Sequence, residues 1–131
     1  MALLKFELVS PERLLFSAEV QQVTVPGTEG LFTVLPEHAP VLSTLRPGVV
    51  DVVTAEGQHD RIFVRGGFAE VNPHGLTILA EVAIPLAELD SAALEQQISD
   101  AAEDVSDAQD DETRRRAQES LDHLRDLRSA L

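Results

Sequence analysis

The chain has no cysteine, tryptophan or tyrosine, and aromatics make up only 4% of it. Without cysteine, disulfides, thiolate metal sites and thiol nucleophiles are excluded. With so few aromatics, the packing must come from Val, Leu, Ile, Ala and five Phe, within a hydrophobic fraction of 44%. No apolar run approaches the roughly 20 residues that a membrane-spanning helix needs. The first ten residues, MALLKFELVS, carry neither a signal-peptide core nor an Arg/Ser-rich transit segment. The expectation is a soluble intracellular protein, or one translated in the compartment where it works. Its 131 residues suit one ordinary domain, or a small domain with an appendage.

Basic residues are also scarce, and the net charge is −13. Residues 1–85 hold five Lys/Arg against ten Asp/Glu, residues 86–112 hold ten acids and no base, and residues 113–131 hold five Arg against three acids. A surface for nucleic acid or anionic lipid needs an extended basic face. One short basic stretch does not supply it, so neither nucleic-acid binding nor direct lipid insertion is expected.

What is present falls into two parts that meet near residue 86. The first has short strand signals broken by turn residues. KFELV puts Phe6 and Leu8 on one face, QVTVPG ends at Pro26 and Gly27, and VVDVVTAEGQ turns at Glu56 and Gly57. HDRIFVRGG alternates Ile62 and Val64 with Arg61, Phe63 and Arg65. After a turn at Pro73, His74 and Gly75, the residues Leu76, Ile78, Ala80, Val82 and Ile84 recur at period two. Strands spaced in this way predict a β-sandwich or barrel over residues 1–85. VPGTEGLFTVLPEHAP, residues 25–40, places three prolines, two glycines and His38 inside apolar strand sequence. That pattern suits a rigid loop aimed at a partner.

From residue 86 the period changes. Leu86, Leu89, Ala93, Leu94, Ile98, Ala101, Val105 and Ala108 fall at helical spacing, with Asp90 or Ser91 able to cap the start. A second stripe runs through Ala117, Leu121, Leu124, Leu127 and Leu131, with Asp110 or Asp111 as its cap. The expected class is therefore mainly β with an α appendage: an N-terminal β-sandwich followed by a C-terminal antiparallel two-helix hairpin at residues 86–131. Its acidic first helix and Arg-bearing second helix favour each other, though each exposed ion pair contributes only about 0.2–1 kcal/mol. The thin, Ala-rich stripe predicts a marginal, mobile hairpin.

No catalytic constellation emerges. His38, His59, His74 and His123 lack metal-ligand spacing, and His59 and His74 read as solvated turn residues. Neither a G-x-S-x-G elbow nor a phosphate loop is present. Gly66 and Gly67 suit a bulge or tight turn better than an anion nest. Glu103, Asp104, Asp107, Asp110 and Asp111 lack the spacing and glycine of a calcium loop. No metal or cofactor is expected, and nothing supports a stand-alone enzyme.

The residues Pro26, Gly27, Gly30, Pro36, His38, Ala39, Pro40, Leu45, Pro47, Gly48, Gly66, Gly67, Glu70 and the run LAE at 79–81 resemble the epsilon subunit of bacterial F-type ATP synthases. The resemblance extends over essentially the full sequence, and the order of sandwich then hairpin matches. It implies a non-catalytic foot of the rotating central stalk, peripheral at the cytoplasmic face of the inner membrane. One surface would pack on the gamma subunit and the bottom on the polar loops of the c-subunit ring. Residues 27–33 correspond to the ring-facing loop, with Gly27, Thr28, Glu29, Gly30 and Leu31 as contacts. Residues 38–43 correspond to positions near gamma, with His38, Ala39, Pro40, Val41 and Leu42 as contacts. A purely structural reading stays beside this: Pro36 and Pro40 end strands, and His38 satisfies a backbone carbonyl.

The hairpin carries regulation in the family. In some members it blocks rotation in the hydrolysis direction, its second helix meeting acidic residues of the catalytic beta subunits, and the resemblance gives contact with the alpha and beta subunits of the head to Arg114, Arg115, Arg116, Arg125 and Arg128. In others it binds ATP through a Leu/Ile-Asp-x-x-Arg-Ala signature, which makes a nucleotide-responsive inhibitory switch the alternative function. Here Asp90 keeps the signature, while Ala93 stands at its Arg and Leu94 at its Ala.

Overall fold

Seven strands and two helices account for most of the protein in a computed structural model that describes residues 2–129. The strands are β1 (Leu4–Val9), β2 (Leu14–Gly27), β3 (Gly30–Val34), β4 (Val41–Thr44), β5 (Gly48–Thr54), β6 (His59–Asn72) and β7 (Gly75–Pro85). A 3-10 turn (Leu86–Glu88) leads to α1 (Ser91–Asp107) and α2 (Asp111–Ser129). The protein divides into two compact units, separated between Ala87 and Glu88.

In the strand unit the pairings run β1-β7-β6-β5-β2-β3, and β1 also pairs with β2, so five strands close on themselves. Closure protects the edges of those five strands, while β3 and β4 each pair on one side only. All neighbours are antiparallel except β1 and β7, which run parallel with Phe6 beside Leu76 and Leu8 beside Ile78. The expected alternation places Phe6, Leu8, Leu76, Ile78, Val23, Val25, Val50 and Val52 in one core. Burial of such a side chain is worth about 1.5–3 kcal/mol. No polar or charged residue is fully buried among the described residues.

The long strands do not keep one face inward throughout. In β6 the core takes Ile62 and Val64, then Ala69 and Val71. An odd spacing between those pairs means that the strand changes face midway. Opposite it, β7 buries Leu76, Ile78 and Ala80 but then turns Ala83 to the core, leaving Val82 40% exposed. The period-two reading of Val82 and Ile84 as core therefore fails at this bend. Phe63, expected to face outward with Arg61 and Arg65, is only 2% exposed, although it lies outside the main core cluster.

The bend sits at Gly66 and Gly67, with φ of 70° and 96°. They form neither a tight turn nor a nest. Both belong to one continuous strand, paired in the same register on either side of them. A Cβ at Gly67 would overlap the Leu79 carbonyl, and one at Gly66 would lie 2.5 Å from Glu81 Oε2. A carboxylate there also makes this a poor place for an anion. In β2 the change of face between Val20 and Val23 follows from a register shift at Gln21.

In the helical unit, Leu94, Ile98 and Ala101 of α1 and Leu121 and Leu127 of α2 are buried, while Val105, Ala108, Ala117 and Leu124 are half-buried. α1 begins later than the periodicity suggests. Leu86 lies in the 3-10 turn, and Ala93 is exposed. Asp90 sets the start: its backbone is extended, and its Oδ1 accepts from Ala92 N and Ala93 N. Leu131 lies outside the described residues.

Gly67→Ala should cost about 3 kcal/mol or more, because a positive φ is combined with overlap on a backbone carbonyl. Gly57→Ala should cost only about 1 kcal/mol, since Gly57 also has a positive φ but a Cβ there would meet only Gln21 Nε2, at an ordinary 3.9 Å. Urea unfolding of both variants measures the contrast, and equal losses would remove the close approach as the cause.

Candidate functional site

Residues 28–32 and 41–44 line a single groove, so the two segments singled out by sequence meet at one end of the strand unit. The β2–β3 hairpin brings the first of them there. Gly27 and Gly30 pair across a two-residue loop of Thr28 and Glu29. Gly30 has φ 131°, which strongly favours glycine. Gly27 is buried, because a Cβ on it would lie 2.9 Å from both Phe32 Cε1 and Ser43 Oγ. Pro26 is fully buried as well, and a Cβ on Gly48 would lie 2.9 Å from its own Cβ. The sequence pattern predicts a projecting loop over this stretch. Only its first three residues, Val25, Pro26 and Gly27, are buried, and Thr28, Glu29 and Leu31 are exposed.

The second segment is tied to the first through the backbone. Thr28 N donates to Thr44 O at 3.0 Å, Arg46 N to Pro26 O at 3.0 Å, and Leu45 N to Gly67 O at 3.0 Å. Thr28 Oγ1 and Thr44 Oγ1 share a further bond of 3.0 Å. Nothing in the sequence signals this tie, which joins residues 16 apart. Ahead of β4, Glu37 adopts φ 66° and His38 N donates to Leu35 O. His38 Nδ1 donates to Ala39 O at 2.7 Å, as the structural reading of that residue expects. His38 is half-buried, Ala39 and Pro40 are exposed, and none of the three lines the groove.

Around this end the apolar side chains face solvent. Leu31 is 64% exposed, Leu42 69% and Val41 37%. Single exposed leucines are ordinary, but several around one groove make a candidate interaction surface.

The helical unit presents its charges differently. Arg114 pairs with Asp111, Arg115 with Glu119 and Arg116 with Glu112, at 3.3, 2.8 and 2.8 Å, all within α2. Arg128 reaches Glu95 of α1 at 3.5 Å, linking the helices. Arg125 is the α2 arginine with no ion pair among the described residues. Asp90, the remnant of the nucleotide signature, uses its carboxylate as a helix cap. Of the two cap candidates for α2, Asp110 serves, accepting from Thr113 N at 2.7 Å and Thr113 Oγ1 at 3.0 Å.

His59 is not a free turn residue. It opens β6 and donates through Nδ1 to Asp51 Oδ1 at 2.9 Å, with Arg61 Nε 3.7 Å from the other oxygen. His74 does lie in its turn, where Asn72 Oδ1 accepts from its backbone N–H. No group of three or more potential metal ligands occurs among the described residues.

A strand unit closed through five strands, with apolar side chains exposed at one end, is followed by a separate pair of helices. Residues 3–86 match the family model "ATP synthase, Delta/Epsilon chain, beta-sandwich domain", and residues 90–126 match the model for the C-terminal domain of the ATP synthase epsilon subunit. The ATP synthase epsilon chain of Parvibaculum lavamentivorans is 56% identical over 95% of each sequence. That of Mesorhizobium japonicum is 50% identical, covering 97% of this sequence and 94% of its own. Among solved structures, one subunit of the Euglena gracilis mitochondrial ATP synthase (OSCP/F1/c-ring, rotational state 1) superposes with TM-score 0.81 at 26% identity, covering 99% of this protein and 82% of that one. A subunit of the Tetrahymena thermophila mitochondrial ATP synthase central stalk/c-ring shares the fold at TM-score 0.55 and 15% identity, over 64% of this protein and 67% of that one. The protein belongs to the ATP synthase epsilon chain family.

Hydrogen bonds from the Thr113 backbone N–H, the Thr113 hydroxyl and Glu112 N–H, with the Arg114 charge, hold the Asp110 carboxyl below its ordinary pKa. A lowered folded pKa stabilises the folded hairpin above the unfolded aspartate value of about 4 and ceases to do so as pH falls through the folded value. Asp110→Asn keeps an acceptor at the cap but does not titrate. Its helix content, read by circular dichroism, should trail that of the unaltered protein at neutral pH, and the gap should close below about pH 4. A gap constant with pH would remove the carboxylate's charge as the cause.

Proposed function

We propose that the protein is the non-catalytic central-stalk subunit of a bacterial F-type ATP synthase, peripheral at the cytoplasmic face of the inner membrane. In this role it couples rotation of the proton-driven c-subunit ring to ATP synthesis in the catalytic head. Family membership supports it, as does likeness to subunits from assemblies described as F1/c-ring and central stalk/c-ring. The observation that carries it is the backbone-tied end where Leu31 and Leu42 stand 64% and 69% exposed.

A rotor foot must pass torque without yielding. Prolines and positive-φ glycines hold a loop in one shape, so little conformational entropy is lost when a partner docks. Residues 1–85 form the foot. Thr28, Glu29, Gly30 and Leu31 face the ring, with Gly27 acting from within the strand to position them. Val41 and Leu42 face gamma, with His38, Ala39 and Pro40 setting their approach. Glu29 adds a charge suited to polar ring loops.

Residues 86–131 form the regulatory hairpin. Arg125 is the first candidate for contact with the alpha and beta subunits of the head, because Arg114, Arg115, Arg116 and Arg128 would each exchange an existing partner to take part. The use of Asp90 as a cap, with Ala93 at the signature Arg, supports the rotor reading over a nucleotide-responsive switch.

Leu31→Ser tests the ring contact. Loss of a partly buried leucine from an interface costs about 1–2 kcal/mol, or roughly tenfold in affinity. ATP-driven proton pumping by enzyme reassembled with this variant should fall while ATP hydrolysis continues. The thermal midpoint of the isolated subunit should stay unchanged. Normal pumping would contradict the assignment of this loop to the ring.

A further inference from the structure

The free edge of β3 lacks the protection that edge strands usually carry. Charged side chains, a proline within the strand or a bulge ordinarily keep such an edge from pairing with another chain. Residues 30–36, GLFTVLP, hold no charge in a protein of net charge −13. The β3 strand pairs with β2 in unbroken register from Gly30 to Val34, and Pro36 comes only after it.

Pro26 reveals which backbone groups of β3 are free. It stands opposite Leu31 but has no N–H, and its carbonyl accepts from Arg46 N at 3.0 Å. The Pro26–Leu31 pair therefore exchanges no hydrogen bond. Antiparallel pairs alternate between bonded and unbonded, so Gly30, Phe32 and Val34 bond to β2, while Leu31 and Thr33 turn their N–H and C=O groups outward. Side chains alternate as well. Val34 is buried and Phe32 packs on the core, which leaves Leu31, Thr33 and Leu35 exposed on the other face. Leu35 is 49% exposed.

We propose that the free protein pairs with a second copy of itself, β3 against β3, antiparallel about a two-fold axis at Thr33. That axis puts Leu31 opposite Leu35 of the second copy on both sides, and Thr33 opposite its own counterpart. Gly30 then faces Pro36 in the unbonded set, where the missing proline N–H costs nothing. The Leu35 carbonyl already accepts from His38 N at 3.1 Å and keeps a second lone pair for Leu31 N–H. An apolar strand that matches itself under two-fold rotation selects a second copy as its occupant. Charge selects this edge for the meeting, since two acidic copies repel elsewhere. The flanking acids lie outside the paired stretch, Glu29 in the hairpin loop and Glu37 at the positive-φ turn. An edge of 5 residues buries less than a stable interface needs. The pairing is accordingly weak, with a dissociation constant on the order of 10⁻⁴ M. Leu31 is also assigned to the ring, so a paired copy is withheld from it; that exclusion rests on the ring assignment, whereas the pairing does not.

Sedimentation equilibrium of the full-length protein from about 10 µM to 1 mM tests the pairing. A monomer–dimer equilibrium that strengthens with added salt is expected, because screening relieves repulsion between acidic copies. A monomer throughout, or association that salt weakens, would overturn the proposal. Leu35→Glu should weaken association by about tenfold or more, and Leu14→Glu, an equal charge at a leucine 57% exposed on β2, should change it little. Equal weakening by both would reduce the effect to general repulsion and overturn the edge contact. Because the protein has no cysteine, Thr33→Cys supplies a single thiol. It should oxidise to a disulfide-linked dimer at least about tenfold faster than Leu42→Cys, although Leu42 is 69% exposed. Equal rates would overturn the axis at Thr33.

Discussion

Three backbone hydrogen bonds at one level of the strand unit set what the rest of the molecule can present. Thr28 N to Thr44 O, Arg46 N to Pro26 O and Leu45 N to Gly67 O join the β2–β3 hairpin, β4 and the bend of β6. Such bonds need backbones to approach closely, and side chains usually prevent that. Here a Cβ on Gly27 would strike Phe32 and Ser43 and one on Gly48 would strike Pro26, while Gly67 makes room for the Leu79 carbonyl of β7 on its other side. The glycines admit the contact, and the bonds then fix it. A net worth of about 1 kcal/mol per bond is modest for stability, but as a set they remove the freedom of two otherwise independent loops.

This constraint explains why apolar residues are tolerated at the surface. Leu31 pairs with buried Pro26 and Val41 with buried Val71, while Leu42 pairs with exposed Glu70, and all three stay exposed at this end. The helical unit follows another logic. Its apolar stripe is narrow, its arginines are mostly paired with carboxylates of the same helix, and its caps are aspartates. Exposed pairs of this kind add little stability and are easily exchanged. A stiff strand unit and a helical unit held by replaceable contacts suit a transmitter of torque with a separate regulatory element.

Much of this is legible in the sequence because period and punctuation are local signals. Alternation in KFELV and LTILA locates β1 and β7, and the change to helical spacing locates α1 and α2. The resemblance of the Pro26–His38 region and the glycine pair to one family supplies the function. Burial is misjudged where a strand changes face: an alternation rule assumes one constant face for Val82 and Phe63, and the bend at Gly66 and Gly67 breaks it. Pro26 and Gly27 read as a projecting loop because their burial depends on Gly48 and Ser43, distant in sequence. The tie between Thr28 and Thr44 has no local signal either. The start of α1 falls later than expected for a simpler reason, as apolar spacing alone does not distinguish a 3-10 turn from the helix that follows an Asp cap.

The central claim is that the Thr28–Leu31 segment, proposed to face the ring, and β4 form one stiff body. Native-state hydrogen exchange of the full-length protein tests it most directly, at the amides of Thr28, Leu45 and Arg46. If the tie is part of the cooperative strand unit, these amides exchange only through its global unfolding, with the same free energy of opening as core amides such as Val52. Exchange at Thr28 and Arg46 through a low-energy local opening, with the core still protected, would contradict it.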